Sequence, residues 1–308
     1  MGKPCNLLSD YIKDRFGCKV FKVTVNAGLT CPNKDGVKGS GGCIYCAEPA
    51  LMPKEYNGAD VAGQLDAGIR YVRERHRAEK FIAYFQINSN TYAPVAYLRE
   101  IYGEAMRHPE VAGIAISTRP DCVDENLFDL LARLKEEKFL WLELGLQSAN
   151  ADTLARINRR HTVGEFEAAC RGASAKGIDV CAHVIIGLPE ETREDFLSTM
   201  RLLARLNVWG VKFHQLQVLR GTRLEEEYNA GRVMVLGLEE YARLVVDCIE
   251  TLPPSMIVHR LFGDAPQQYL VAPRWGANKF IVMDRIMKTF AERGTRQGAR
   301  SAASAVGG

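Results

Sequence analysis

Cys31, Cys43 and Cys46 are the side chains best placed in this sequence to do chemistry. Eleven residues separate the first two and two separate the second pair. A Cys-x-x-Cys turn brings two sulfurs close enough to share one metal ion or one cluster, and the third thiolate reaches them from the far end of a loop. That loop carries Gly39, Gly41 and Gly42, which permit the tight turns needed to fold over a bound group. Three thiolates leave one coordination position open. An open position marks a centre that reacts, because structural sites are closed. Two readings are compatible with these residues alone: an iron–sulfur cluster, or a structural zinc ion completed by Cys5, Cys18 or a histidine.

The elements around the loop narrow the choice. Phe21–Val25 alternates apolar and polar residues with β-branched side chains and reads as a first strand running straight into the cysteine loop. Short, nearly continuous apolar runs follow at 81–87, 111–116, 139–146, 178–186 and 211–216, the pattern of strands buried on both faces. Helical periodicity fills the intervals, at 59–78, up to 108, 125–137, 152–157, 165–176 and up to 206. A helix at 238–251, a candidate seventh strand at 257–262 and a last helix at 278–292 complete the pattern. A βα repeat of this length gives a parallel sheet. The expected fold is α/β: a partial (βα)6-type, TIM-like barrel with parallel strands, the cluster loop after strand one and a C-terminal helical extension. A doubly wound open sheet is the alternative. The expected divisions are a lead-in at 1–17, the partial barrel at 18–230, the extension at 231–293, and a Gly/Ala/Ser-rich disordered tail at 294–308. Each polar or glycine-bearing motif follows the C-terminal end of a strand, where parallel α/β folds place their sites. That placement favours a reactive iron–sulfur centre.

The composition agrees with an enzyme of ordinary kind. The 308 residues carry 40 Lys and Arg against 37 Asp and Glu, a net charge of +3 that makes no case for nucleic acid or membrane. No run approaches the roughly 18–20 apolar residues of a membrane span. Residues 1–16 lack the apolar core of a signal peptide, and Asn6 stands where a myristoylation motif needs Ser or Thr. Six of the nine cysteines are scattered through the chain, and without an export signal these read as reduced thiols, so a cytoplasmic location is expected.

In this order, Thr30-Cys-Pro-Asn33, Gly41-Gly-Cys-Ile-Tyr-Cys46, Asn90-Thr-Tyr-Ala-Pro94, Ser117-Thr-Arg-Pro-Asp121, Glu143-Leu-Gly-Leu-Gln147-Ser148, Asn158-Arg-Arg-His161, Ile186-Gly-Leu-Pro-Glu190 and His259-Arg-Leu-Phe-Gly-Asp264 resemble the radical S-adenosylmethionine (SAM) superfamily. More closely they resemble a bacterial and archaeal branch related to the SAM domain of the Elongator catalytic subunit. The eleven-residue spacer departs from the superfamily's usual three and fits that branch. The resemblance implies a [4Fe–4S] cluster on Cys31, Cys43 and Cys46, with SAM on the fourth iron. It also implies one-electron cleavage of SAM to a 5′-deoxyadenosyl radical that abstracts hydrogen from a substrate, with an RNA base one candidate. An electron donor such as flavodoxin or ferredoxin is the implied partner. Tyr45 falls where the superfamily places an aromatic beside the adenine. The usual Gly-Gly-Glu that holds the SAM amino group is replaced by the stretch from Gln86 through Asn88 to Asn90, and His183 replaces the first glycine of the strand-five motif.

Strand parity supplies further candidates. Glu143, Gly145 and Gln147 share one face of strand four, opposite Leu142, Leu144 and Leu146. Glu143 and Gln147, with Ser148 beyond them, are candidates for the ribose or amine of SAM, or else for a structural hydrogen-bond network. Ile186 and Gly187 offer backbone to the adenine edge. Ser117 with Arg119, or Arg160, could take the SAM carboxylate. On the substrate side the candidates are Lys212 and His214 as proton carriers and Cys122 as hydrogen-atom donor, with Arg260 and Asp264 closing the end. The function of another class that remains is a non-catalytic zinc- or RNA-binding protein.

Overall fold

The computed structural model describes residues 3–50 and 60–301. In chain order the elements are α1 (Leu8–Phe16), β1 (Val20–Val25), α2 (Val61–His76), β2 (Lys80–Phe85), α3 (Val95–Arg107), β3 (Val111–Thr118), α4 (Glu125–Glu137), β4 (Phe139–Gln147), α5 (Ala151–Arg156), α6 (Val163–Ala175) and β5 (Asp179–Ile186). They continue with α7 (Arg193–Arg205), β6 (Gly210–Gln215), β7 (Val218–Leu219), α8 (Arg223–Asn229), α9 (Leu238–Thr251), β8 (Ile257–Arg260), β9 (Leu270–Ala272) and α10 (Lys279–Arg293). Local chemistry sets many of the starts. Asp60, Asp124, Asn150, Thr162 and Asn278 each accept a hydrogen bond from the first turn of the helix that follows. A capping box of Thr162 and Glu165 adds to the fourth of these.

Among the described residues seven parallel strands form one sheet in the order β1-β2-β3-β4-β5-β6-β8, curled into a half-barrel. The expected six-strand repeat therefore gains its candidate seventh strand, and the region expected as an extension contributes it: β8 pairs with β6 from Gly210↔Ile257 onward. The outward faces of the strands pack on the helices in the main core, where Leu140, Leu142, Leu144 and Leu146 of β4 line up with Val180, Val184 and Ile186 of β5. The opposite parity points into the curl.

A second, smaller core braces the cysteine loop. Ile44 packs with Leu154, Ile157, Leu216, Val218 and Leu224, and its backbone is held on both sides: its N–H donates to Ile157 O (3.2 Å) and its carbonyl accepts from Leu224 N (2.8 Å). A two-stranded antiparallel ribbon of β7 and β9, not expected from the sequence, supplies part of this brace. Residues 294–301 also differ from expectation. They are ordered against the fold, with Gln297 and Ser301 buried, while 302–308 lie outside the described residues. No helix among the described residues is long and apolar enough to cross a membrane.

Candidate active site

The cysteine loop follows β1 at the C-terminal mouth of the sheet. Cys31 and Cys43 are buried and Cys46 is half-buried. The sulfur of Cys43 accepts N–H hydrogen bonds from Asn33 Nδ2 and Arg159 Nη1, each at 3.7 Å. Asn33 is fixed by donating to Asn158 O (2.6 Å), and Asn158 returns a bond to Gly42 O (2.7 Å). Arg159 is buried, donates to Gly145 O (2.7 Å), and has an unpartnered Nε. Gly145 leaves room for this guanidinium: a Cβ there would lie 2.5 Å from Arg159 Nη2 and would push it aside. Lys34 stands over Cys46 and pairs with Glu48 (2.9 Å) and with Asn88 Oδ1 (2.7 Å). Burial lowers its pKa, but the Cys46 thiolate and Glu48 more than offset this and raise it.

The interior of the curl holds a polar hub on Glu143. This carboxylate is wholly buried and accepts from Lys22 Nζ (2.6 Å), Trp141 Nε1 (2.9 Å), Tyr84 Oη (2.8 Å), His183 Nε2 (2.7 Å) and Lys212 Nζ (2.8 Å). Burial would raise the Glu143 pKa; the Lys212 and Lys22 ammonium groups hold it well below the usual carboxylate range. Burial also lowers its partners: His183 falls to about 4, and Lys212 to about 8 despite the carboxylate.

Two cavities open between these groups. One, about 150 Å³, is lined by the three cysteines together with Asn88, Arg119, Gln147 and Arg159. The other, about 250 Å³, lies deeper, against Tyr84, Ile185, Lys212, His214 and Arg260. Tyr45, Cys46, Gln86, Ser117, Gln147 and His183 line both, so the two spaces adjoin.

The sequence model described as the Radical SAM superfamily matches residues 34–203, and that of the Radical_SAM C-terminal domain matches 208–292. The chain belongs to the radical SAM superfamily. It is 38% identical over 297 residues to protein YtqA of Bacillus subtilis (96% of this chain, 92% of that protein) and 34% identical over 295 residues to protein YhcC of Escherichia coli K12 (96% and 94%). Among solved structures it is similar to the archaeal Elp3 of Methanocaldococcus infernus, with a TM-score of 0.68 at 19% identity, covering 91% of this chain and 64% of that one. That likeness shows the fold alone.

Radical SAM enzymes bind a [4Fe–4S] cluster and SAM, and the residues here fit both. Three thiols come from one braced loop, N–H donors point at a ligand sulfur, two cations stand beside the thiolates, and a polar cavity lies next to them. Of the fourth ligands offered for zinc, Cys18 and Cys5 lie away from the loop, while His183 lines the same cavity as the three cysteines. Cys18 precedes β1 while the cysteine loop follows it, and a six-residue strand separates them by about 20 Å. Cys5 lies at the same far end, since Asn6 O accepts from Val258 at the start of β8.

The structure sorts the sequence candidates. Tyr45, Asn88, Ser117 and Gln147 line the cavity beside the cysteines. Arg119 reaches its wall, but its guanidinium is committed to Asp121 (two bonds of 2.8 Å) and to Arg159 O (2.9 Å), so it positions Arg159. Glu143 is the network member that parity left open; with five donors on two oxygens it has no acceptor capacity left for SAM. Five candidates are displaced. Arg160 is exposed and bonds Asn158 Oδ1; its neighbour Arg159 is the buried arginine. Ser148 is turned to Glu191 and to Asn150 N. Ile186 faces the helix layer, its carbonyl taken by Leu216 N, while Ile185 faces the cavity. Gly187 lies against Leu236, which a Cβ would approach to 2.9 Å. Cys122 opens into a separate groove between the starts of α3 and α4, and burial pushes its thiol up to about 12. Lys212 and His214 do line the deeper cavity. Sequence reasoning did not nominate Asn33, Lys22, Tyr84 or Arg159, although the Asn158–His161 motif contained the last.

Proposed function

We propose that Cys31, Cys43 and Cys46 hold the cluster, that SAM occupies the cavity beside them, and that the deeper cavity receives the substrate. The observation that carries this reading is the shared wall: six residues line both spaces, so a group in one adjoins a group in the other. When bound, the cluster and SAM supply a 5′-deoxyadenosyl radical that takes a hydrogen atom from the substrate. The chain's own residues do the rest. The thiolates retain the cluster, while Asn33 and Arg159 withdraw electron density from the Cys43 sulfur. Tyr45, Gln86 and Gln147 orient what lies between the two spaces, and the Glu143 hub fixes the floor. Asn88 and Gln86 stand in for the missing Gly-Gly-Glu, and Ser117 offers its hydroxyl to the same space. A one-electron donor of the flavodoxin or ferredoxin class completes the system.

Each space, about 150 Å³ and about 250 Å³, is below the roughly 300–1,000 Å³ of sites for drug-sized ligands, so SAM would extend across the shared wall and leave the far part of the deeper cavity free. That part suits one small group of the substrate. An RNA base is the first substrate to test, on the likeness to Elongator proteins.

Anaerobic reconstitution tests the core of this reading. The wild type should show the visible absorbance of an iron–sulfur cluster and release 5′-deoxyadenosine when reduced with SAM. Cys46→Ala should lose both. A variant that keeps its cluster and still releases 5′-deoxyadenosine would remove Cys46 from the ligand set.

A further inference from the structure

The walls of the deeper cavity carry an unbalanced charge. Among the described residues Lys212 and Arg260 line it, and no Asp or Glu does. Two carboxylates lie close by: Glu143 stands behind Lys212 and is already shared by Lys22 and Lys212, and Asp264 acts on Arg260 from the loop after β8 without bonding to it. Three cations therefore face two carboxylates, and of these only Glu143 is bonded to any of the three. Arg260 has no ion pair among the described residues; its Nε donates to Phe262 O, and its two terminal nitrogens have no acceptor there. His214 adds a buried Nε2 with no partner. Burial and the charges of Arg260 and Lys212 keep that imidazole neutral, so one ring nitrogen can donate an N–H. Lys212 donates to Tyr84 Oη (2.7 Å) and to Glu143, which leaves one of its three ammonium hydrogens.

The loop that carries Arg260 is held in place for this. The Gln215 side chain clamps the Gly263 backbone from both sides, donating to its carbonyl (2.9 Å) and accepting from its N–H (2.6 Å). A Cβ at Gly263 would come within 3.2 Å of His214 Nδ1. The Arg260 guanidinium is half-buried on this wall, its terminal nitrogens are free for a partner, and guanidinium forks match planar and tetrahedral oxyanions.

We propose that this cavity binds an oxyanion of the substrate, a carboxylate or a phosphate, through Arg260 with Lys212 and His214. This rests on the reading that the deeper cavity is the substrate's. It assigns these residues to recognition and positioning.

The test is calorimetric titration of the anaerobically reconstituted full chain, with SAM present and ionic strength fixed. The probes are inorganic phosphate and, separately, acetate. The wild type should bind at least one, and the tighter one names the oxyanion. Arg260→Gln should weaken that binding at least tenfold, Arg260→Lys less, and Arg70→Gln, an exposed change on α2, not at all. The lysine variant serves if the glutamine variant does not fold. Wild type that binds neither probe, or Arg260→Gln that binds as wild type, overturns the proposal. So does an Arg260→Gln protein that loses SAM affinity while keeping the probe, because the guanidinium would then serve the cofactor. The functional reading is scored separately: wild type that binds the probe but releases no 5′-deoxyadenosine fails there, and wild type that releases it but binds no probe fails only here.

Discussion

Glu143 and Arg159 show how single buried charges organise the site. Five donors from β1, β2, β4, β5 and β6 meet on the two oxygens of Glu143. Removing the charge strands the ammonium groups of Lys22 and Lys212 beside a neutral amide. Breaking a buried pair in this way costs about 3–5 kcal/mol, so Glu143→Gln should lower the thermal midpoint of the reconstituted protein by several degrees. An unchanged midpoint would mean the hub is not structural. Arg159, bonded to the Cys43 sulfur, would act on a cluster held as proposed. Its N–H to the Cys43 sulfur and its positive charge both favour the more reduced cluster. Arg159→Gln should therefore lower the reduction potential by tens of millivolts, where about 59 mV is a tenfold change for one electron. A redox titration followed by electron paramagnetic resonance reads this directly; a potential that does not move removes Arg159 from any tuning role.

At the scale of elements, what was legible in the sequence was local. Period-two alternation set the faces of β4 correctly, because Trp141, Glu143 and Gln147 alternate with leucines without interruption. The cysteine loop was legible as a candidate site because spacing within one loop limits what its thiols can do. The hub was not, because its donors come from five strands whose pairing no single segment reveals. Arg159 was misread as Arg160 for a different reason. Asn158 (φ 53°) and Arg160 (φ 59°) both adopt left-handed backbone, which reverses the turn and swings the middle arginine inward; no periodicity reports that. The same strand contacts give a test of register. At Gly113 a Cβ would lie 2.2 Å from the Phe139 carbonyl across the β3–β4 pair, and backbone cannot yield there without parting the strands. Gly113→Ala should give little soluble protein. Gly177→Ala is the comparison: that site has open space and only a left-handed φ of 65°, which costs about 1–2 kcal/mol. Equal thermal midpoints for the two variants would contradict the register.

For the molecule as a whole, an open half-barrel must protect the free side of its last strand. The N-terminal segment does so, with Leu7 bridged to Val258 of β8 and Asn6 O accepting from Val258 N (2.8 Å). The chain end locks that segment down. Gln297 N donates to Pro4 O (2.8 Å), its Oε1 accepts from Asn6 N (2.8 Å), and its Nε2 donates to Pro253 O and Met256 O (2.7 Å each). Arg193, Arg293 and Arg300 meet on Asp247 and tie α7, α10 and the chain end to α9. Composition pointed to disorder because Gly, Ala and Ser dominate 294–308, yet within the described part, 294–301, one buried amide with three partners and the Arg300 contacts hold the chain in place. Gln297→Ala removes all three side-chain bonds at once. Each buried polar group left unsatisfied costs about 1–3 kcal/mol, and water reaching the chain end recovers part of that, so a net loss of about 2–4 kcal/mol is expected. For a chain of this size that is a fall of roughly 4–10 °C in Tm, measured by scanning calorimetry. The loss should come with faster amide exchange at Asn6 and Val258, since the covering segment loosens first. A shift below about 1 °C, with exchange at those amides unchanged, would show that the chain end rests on the fold without holding it.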